Sequence, residues 1–267
     1  MASSEPQDRL GTREVGTHLR GVALPACGRC ASPTIYGWIF TQYIVEVNIR
    51  LCILIIMKYD NTVALLGSEG VFDLATAVQL LNEKRETVRV QLSRWCKAGK
   101  LLSLRRGLYA FPEHNCGRKV NPAELANRLL TPSYLSRHWA LGFFGLIPES
   151  VTTYTSVTSR TPCRFNNMFG AFRYQHVKRQ AFFGYRPYKI EGRTVLMAEP
   201  EKALLDLWHL EKGAWTAARM EAMRFQNVEL VDAQKLRDYA ECYASPRLTV
   251  AAGVWSTLLG EEGGVEL

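Results

Sequence analysis

The sequence lacks the short motifs that mark the common enzyme classes. It contains no GxSxG, GxxxxGK[ST], HExxH or GxGxxG pattern, so a nucleophile elbow, a phosphate-binding loop, a metalloprotease helix and a dinucleotide-binding turn are not indicated. Five histidines stand apart from candidate nucleophiles: His18, His114, His138, His176 and His209. We therefore predict that the protein is not an enzyme and uses no cofactor.

Cysteines are few and irregularly spaced. There are seven, an odd number without a repeated spacing, which excludes a disulfide framework and favours a reducing compartment such as the cytoplasm. Cys27 and Cys30 have the spacing of metal ligands or of a redox pair, but no second CxxC or HxxxH completes a zinc site. We interpret them as free thiols and predict no metal site.

Acidic residues are outnumbered by basic ones. The 267 residues include 25 Asp and Glu against 33 Lys and Arg, a net charge of +8, and this excess favours a polyanionic partner, either nucleic acid or a membrane surface. With 47% hydrophobic residues the chain is neither disordered nor collagen-like. Its length allows one large domain or two ordinary ones.

The N-terminal part of the chain has no regular pattern. Residues 1–33 have no hydrophobic period and are predicted to be unstructured. Residues 34–57 are apolar enough to raise the question of a membrane span, but they include Gln42, Glu46, Asn48 and Arg50. A charge near a helix centre costs roughly 2.5 to 3.5 kcal/mol on insertion scales. We expect no membrane anchor and interpret residues 1–56 as an upstream extension of an over-long reading frame, with an anchor or a signal peptide as alternatives.

A regular pattern begins at Met57. Helices are predicted at residues 62–66, 74–81 and 85–98, and two strands at residues 101–104 and 108–111. Asp73 is placed to cap the second helix, Gly99 to end the third, and Gly107 to permit a tight turn between the strands. Three helices and a hairpin are the plan of a winged helix-turn-helix domain, which we predict for residues 57–112.

Basic residues concentrate on the third predicted helix and the hairpin. Residues 83–106 hold eight basic residues against two acidic ones, a net charge of +6. A helix fits the major groove of DNA with its N-terminal residues nearest the bases. The predicted DNA-binding residues are Lys84, Arg85, Thr87, Arg89, Ser93, Lys97, Arg105 and Arg106, with Glu86 and Val90 also near the bases. The alternative is a solvated helix face, as for most charge runs.

A linker is predicted at residues 113–120 and a second domain at residues 121–267. Helices are predicted at residues 122–130, after Ser133, and at 201–210, 216–225, 232–243 and 248–259; strands are predicted at 153–158, 171–176, 182–188 and 194–197. The predicted fold class is therefore α+β: a winged helix followed by a mixed α/β domain with a small sheet and several helices.

A second basic region spans residues 160–193. It holds eight basic residues against Glu191 alone, a net charge of +7, with eight interleaved aromatic residues. Nucleic-acid platforms combine these residue types, but an ordinary sheet also alternates buried aromatics with exposed arginines. We interpret the aromatics as core and predict an auxiliary phosphate-contacting surface formed by Arg164, Arg173, Lys178 and Arg179.

An acidic group at the start of the 201–210 helix suggests one alternative function. Glu199, Glu201, Lys202 and Asp206 could belong to a metal-dependent nuclease, but their spacing fits helix capping better.

Several segments together resemble the AbiEi-type antitoxins of bacterial type IV toxin-antitoxin systems. They are LRRGLYAFP, NPAELANRLLTPSYLSRHWALGFFGLIPESV, TSVTSRT, FGAFRYQHV, FFGY and AEPEKALLDLWHL, in this order between Met57 and Tyr243. The resemblance implies a winged-helix repressor that binds double-stranded DNA at inverted repeats in its own promoter, with homo-oligomerisation on DNA as one option. Residues 1–56 have no counterpart in the family.

The resemblance also implies a function for the second domain. Residues 121–267 would counteract a co-encoded nucleotidyltransferase toxin without a required stable complex. A different hypothesis stays open, namely a stand-alone transcription regulator whose second domain senses a ligand or oligomerises.

Overall fold

Two β-sheets and ten helices make up the part of the chain that the computed structural model describes, residues 59–117 and 119–262. The predicted α+β class is confirmed. The predictions for residues 1–56, including the apolar stretch and the Cys27 and Cys30 pair, lie outside the described residues. In the described ranges, no helix is both long enough and apolar enough to cross a membrane.

The first part of the described chain places helices against a three-stranded antiparallel sheet of order β1-β3-β2. Its elements are α1 (residues 59–66), β1 (Val71–Asp73), α2 (Leu74–Leu81), α3 (Arg85–Lys97), β2 (Leu102–Arg105), β3 (Leu108–Ala110) and a short α4 (Glu113–Cys116). Strand β1 was not predicted, and α4 lies within the predicted linker. Gly107, with φ +80°, makes the turn between β2 and β3 as expected.

Asp73 caps α2 as the sequence predicted. Its carboxylate accepts a hydrogen bond of 2.7 Å from the backbone nitrogen of Thr76, and this bond lowers the pKa of the Asp73 carboxyl below its usual value. The cap satisfies one of the backbone donors that the first turn of a helix leaves unpaired.

Loss of this cap is expected to destabilise the protein modestly. We expect Asp73→Ala to lower the free energy of unfolding by about 1 kcal/mol at neutral pH, and Asp73→Asn to retain most of it. Because the pKa of Asp73 is lower in the folded protein than in the unfolded chain, the stability that comes from its charge is fully present above the unfolded pKa near 4. This stability is lost as the pH falls through the folded-state pKa. Urea titrations of both variants between pH 3 and 7 would measure this; equal stability of Asp73→Ala and the unmodified chain contradicts it.

The three-stranded sheet has two covered faces. On one face, Phe72 and Tyr109 pack with residues of α1, α2 and α3. On the other face, the alternate residues Val71, Leu108 and Ala110 join the core of the second part of the chain. The predicted boundaries of the linker and the two domains are not tested by this packing and stay a prediction.

The second part of the described chain is built on a six-stranded mixed sheet of order β6-β7-β5-β4-β9-β8. Its elements are α5 (Pro122–Leu129), β4 (Ser133–Leu135), α6 (Arg137–Phe143), β5 (Thr153–Thr158), β6 (Cys163–Asn167), β7 (Gly170–His176), β8 (Tyr185–Ile190), β9 (Arg193–Ala198), α7 (Pro200–Leu210), α8 (Ala217–Ala222), α9 (Ala233–Cys242) and α10 (Pro246–Glu262). Strands β5 and β7 pair in parallel, as do β4 and β9.

Helices cover both faces of this sheet. Tyr174 on β7 donates its hydroxyl to the Ala126 carbonyl on α5, whereas the next residue, Gln175, accepts from Arg137 on α6. Neighbouring residues of a strand point to opposite faces, so α5 and α6 lie on opposite sides of the sheet.

Two predicted elements differ from the structure. A helix was predicted directly after Ser133, but Ser133–Leu135 pair with β5 as a strand and the helix begins at Arg137. The strand predicted at residues 182–188 begins only at Tyr185, because Gly184 before it has φ +67°. At Ser133 the pairing with β5, and at Gly184 the backbone conformation, outweigh the preference that the local sequence pattern indicates.

Candidate nucleic-acid interface

Helix α3 carries the predicted basic stripe on its solvent face. Arg85, Arg89, Ser93 and Lys97 are all exposed, while Val88, Leu92 and Trp95 are buried, as the sequence predicted. The helix has 13 residues and is therefore about 20 Å long. A surface of this length and charge can be inserted into a major groove without disturbing the core beneath it.

The N-terminal turn of α3 is open to solvent. Lys84 occupies the N-cap position without a side-chain capping bond, and Thr87 and Val90 are exposed beside it. Arg89 forms an ion pair of 3.0 Å with Glu86, and both side chains are more than half exposed. An exposed pair of this kind contributes little to stability, so Arg89 can exchange Glu86 for another acceptor at low cost.

Buried contacts fix α3 relative to the sheet. The backbone carbonyl of Trp95 accepts from the nitrogens of Lys100 and Leu101, and the Tyr59 hydroxyl donates to the Lys100 carbonyl at 2.9 Å. The rings of Tyr59 and Trp95 meet edge to face with centroids 5.2 Å apart. The end of α3 and the start of the hairpin are thereby held as one rigid unit.

The two arginines of the hairpin are not equivalent. Arg106 is exposed at the turn, whereas Arg105 is only half exposed and lines a cavity between the two sheets. Nη1 of Arg105 donates to the Arg106 carbonyl at 3.1 Å. The structure therefore places Arg106 with the exposed basic residues of the first part and turns Arg105 away toward the cavity.

The predicted auxiliary surface separates into two basic pairs. Arg164 on β6 lies directly opposite Arg173 on β7, and both side chains are exposed. Like charges in this position repel each other unless an anion lies between them. Lys178 and Arg179 follow the end of β7 and are also exposed. Of the eight aromatic residues of this region, Phe172 and Tyr174 are buried in the core, and the other six are half-buried and pack against it.

The carboxylates of α7 do not cap the helix. Glu199 is at the N-cap position but makes no side-chain capping bond; it accepts from the Tyr239 hydroxyl at 2.8 Å and pairs with Lys235 at 3.2 Å. Glu201 is 3% exposed and accepts from the backbone nitrogen of Asp232 at 3.0 Å. Glu199 and Glu201 do lie at the N-cap and in the first turn as the capping prediction required, but the side-chain capping bond itself is absent and both carboxylates contact α9 or its N-cap residue instead.

Asp206 is the centre of a buried polar cluster that sequence reasoning missed. Its carboxylate is fully buried and pairs with the ammonium group of Lys202 at 2.5 Å. It also accepts from the hydroxyls of Ser136 at 2.7 Å, Tyr134 at 3.1 Å and Tyr243. Each oxygen of the carboxylate is thus satisfied from inside the protein.

Burial shifts the pKa values of three members of this cluster. Burial lowers the pKa of the Lys202 ammonium group, and the negative charge of Asp206 opposes part of this shift. Burial also raises the pKa of the Tyr134 and Tyr243 hydroxyls. Asp206 would have to leave these donors to act as a metal ligand. Within the described ranges, no three His, Cys, Asp or Glu side chains are arranged to hold a metal ion.

Comparison with known proteins gives no family assignment. The chain matches no protein-family model and no curated protein sequence. The resemblance to the AbiEi-type antitoxins therefore stays a prediction.

Proposed function

We propose that residues 59–111 form a winged helix-turn-helix that binds double-stranded DNA, with α3 in the major groove and the turn at Arg106 on the phosphate backbone. The exposed basic stripe of α3 carries this proposal, because its opposite face is buried against the sheet. The first turn of the helix would read the base edges, and Ser93 and Lys97 would approach the backbone.

The wider function that fits this proposal is that of a cytoplasmic bacterial antitoxin that represses its own operon. The order of the quoted segments supports this part, and the second part of the chain would counteract a nucleotidyltransferase toxin. The exposed pairs Arg164 with Arg173 and Lys178 with Arg179 supply a further surface for phosphate contacts.

A reporter assay in cells tests the repressor function. The promoter region upstream of the gene drives a reporter while the full chain is supplied from a second plasmid. We expect repression by the unmodified chain and by the control Lys212→Ala, whose side chain is exposed in the second part, and loss of repression with Arg85→Ala and Arg89→Ala combined. Equal reporter output with and without the protein refutes autorepression.

Co-expression tests the antitoxin function separately. The neighbouring reading frame, if it encodes a nucleotidyltransferase, is induced in cells with and without this chain. We expect growth arrest to be relieved by the chain and also by the DNA-binding variant, because the proposed antitoxin activity belongs to the second part. Normal repression without rescue would favour the stand-alone regulator.

Replacement of Arg106 is expected to weaken DNA binding without changing sequence preference. If Arg106 contacts only phosphate, Arg106→Ala removes about one neutralised phosphate, so the slope of log K against log salt falls by about one for every duplex tested. Fluorescence anisotropy at several salt concentrations measures this slope. A slope equal to that of the unmodified chain would remove Arg106 from the interface.

A further inference from the structure

A cavity of about 690 Å³ lies between the three-stranded sheet and the six-stranded sheet. One wall comes from the end of α1, from β1 and α2 and from the hairpin; the other comes from the end of α5, the segment after it, and the residues around β6. Its volume is within the range of small-molecule sites, which is 300 to 1,000 Å³. The cavity is therefore large enough for a ligand of nucleotide size.

Three guanidinium groups line this cavity. They belong to Arg105, Arg128 and Arg160, and the acidic residues of the lining are Glu69 and Asp73. Glu69 pairs with Arg128 at 3.8 Å across the cavity, and the Asp73 carboxylate is held by the Thr76 nitrogen. Asp73 also interacts electrostatically with Arg105, whose charge helps to lower the pKa of the Asp73 carboxyl, but among the described residues neither acidic side chain forms an ion pair within 4.0 Å with Arg105 or Arg160.

Arg105 has an unused hydrogen-bonding capacity. Nε is buried without an acceptor, and Nη1 donates to the neighbouring Arg106 carbonyl, the guanidinium's single hydrogen bond to the part of the chain that the structure describes. A guanidinium has five N–H donors in a fixed planar arrangement that matches the oxygens of a phosphate or carboxylate. Because Nε has almost no surface open to solvent, an anion in the cavity would contact the terminal N–H groups of this half-exposed side chain.

Arg160 supplies a second cation at the opposite wall. Its side chain is exposed, and no carboxylate of the described residues lies within 4.0 Å of it or of Arg105. The remaining lining is largely apolar, with Leu130 and Phe165 partly exposed. Two unpaired cations beside apolar side chains suit a molecule that combines a phosphate with a flat ring.

We infer that this cavity binds a nucleoside phosphate, whose phosphate group contacts Arg105 and Arg160 and whose base lies against the apolar residues near Phe165. The ligand would touch Asp73 and Thr76 at the start of α2 and the hairpin residue Arg105. It would therefore connect the segment that leads into α3 with the six-stranded sheet. An effect on DNA affinity rests on the proposed function, whereas binding to the cavity does not.

Isothermal titration of the full chain tests the site in the absence of DNA. The probes are adenosine 5′-monophosphate and uridine 5′-monophosphate and, as the matching ligands without a phosphate, adenosine and uridine. We expect saturable binding of at least one monophosphate below about 1 mM, and binding of the matching nucleoside at least about tenfold weaker.

Variants locate the binding. Arg105→Gln and Arg160→Gln should each weaken monophosphate binding about tenfold, whereas Lys212→Gln, an exposed cation outside the cavity and outside the proposed DNA interface, should leave it unchanged. Circular dichroism confirms that each variant is folded. The proposal is overturned if neither monophosphate binds up to about 5 mM, if the matching nucleoside binds equally well, or if Lys212→Gln weakens binding as much as Arg105→Gln. DNA affinity measured on the same samples reports separately on the proposed function.

Discussion

Replacement of Asp206 by alanine is expected to lower the free energy of unfolding by about 3 to 5 kcal/mol. The ammonium group of Lys202 would lose its carboxylate partner in a position that has no exposed surface, and would keep only the neutral Tyr243 hydroxyl among the described hydrogen-bond partners. The hydroxyls of Tyr134 and Ser136 would lose their acceptor as well. Because the total stability of a domain is typically about 5 to 15 kcal/mol, this one change removes a large share of it.

The pH dependence of Asp206→Ala distinguishes an unpaired charge from a simple cavity. Burial already lowers the pKa of Lys202 in the folded protein, and loss of the Asp206 charge removes the interaction that opposes this shift. Because the folded protein holds the Lys202 proton less tightly than the unfolded chain does, stability is greatest above the unfolded pKa of lysine, near 10.4, and decreases as the pH falls. The destabilisation by Asp206→Ala should therefore grow as the pH falls below the folded-state pKa of Lys202 in the unmodified chain, which urea titrations at a series of pH values followed by circular dichroism would show.

A double variant is the matched control for this prediction. Lys202→Met combined with Asp206→Leu replaces both charged side chains by apolar ones of similar volume. Such a replacement of a buried ion pair often leaves the free energy of unfolding unchanged. We expect the double variant to be more stable than Asp206→Ala alone. If the free energy of unfolding of Asp206→Ala lies within about 1 kcal/mol of that of the unmodified chain, the buried cluster contributes little to stability and the expected cost is wrong.

Combined replacement of Arg85 and Arg89 by alanine is expected to cost roughly 2 to 6 kcal/mol in binding to a native DNA site, with each base contact contributing about 1 to 3 kcal/mol. This corresponds to a loss of affinity between about 30-fold and 10⁴-fold. Both side chains are exposed, so the free energy of unfolding should change by no more than about 0.5 kcal/mol per site.

Separate measurements of stability and affinity make this prediction sharp. Anisotropy titrations with the upstream duplex give the affinity, and thermal unfolding gives the stability of the same samples. Lys212→Ala serves as the control for the loss of one exposed cation outside the interface. If the double variant binds as tightly as this control, then α3 is a solvated surface and not a recognition helix.

The elements that the sequence predicted most accurately are those with local start and stop signals. Helix α2 has the predicted limits because Asp73 caps it, and α3 ends beside Gly99, which adopts φ +70°. Strand β6 was missed although Cys163–Asn167 alternate between half-buried and exposed residues. That alternation was a usable signal, but the strand has only five residues, one of which is the basic Arg164.

The buried cluster around Asp206 could be predicted only in part. Lys202 and Asp206 are four residues apart within an apolar helix, and this spacing indicates an ion pair. Its burial depends on Tyr134, which is 72 residues away in the chain, and on Tyr243, 37 residues away. Contacts of such long sequence separation follow from the packing of the whole sheet, so no local pattern predicts them.

The cavity between the two sheets was also beyond sequence reasoning. Arg105 and Arg106 are adjacent on a predicted hairpin, and the sequence treats them as one basic pair. The half-burial of Arg105 arises because β2 and β3 pack against the second part of the chain. Tertiary packing thus separates two neighbours that have the same charge.

Binding of the full chain to the duplex upstream of its own gene tests the central claim most directly. The comparison is a scrambled duplex of equal length and composition, at 50 mM and 200 mM salt. We predict tighter binding to the native duplex, with a preference that persists at the higher salt concentration because base contacts do not depend on counterion release. Equal affinity for both duplexes, lost together as salt increases, would contradict sequence-specific binding by α3 and leave only a basic surface.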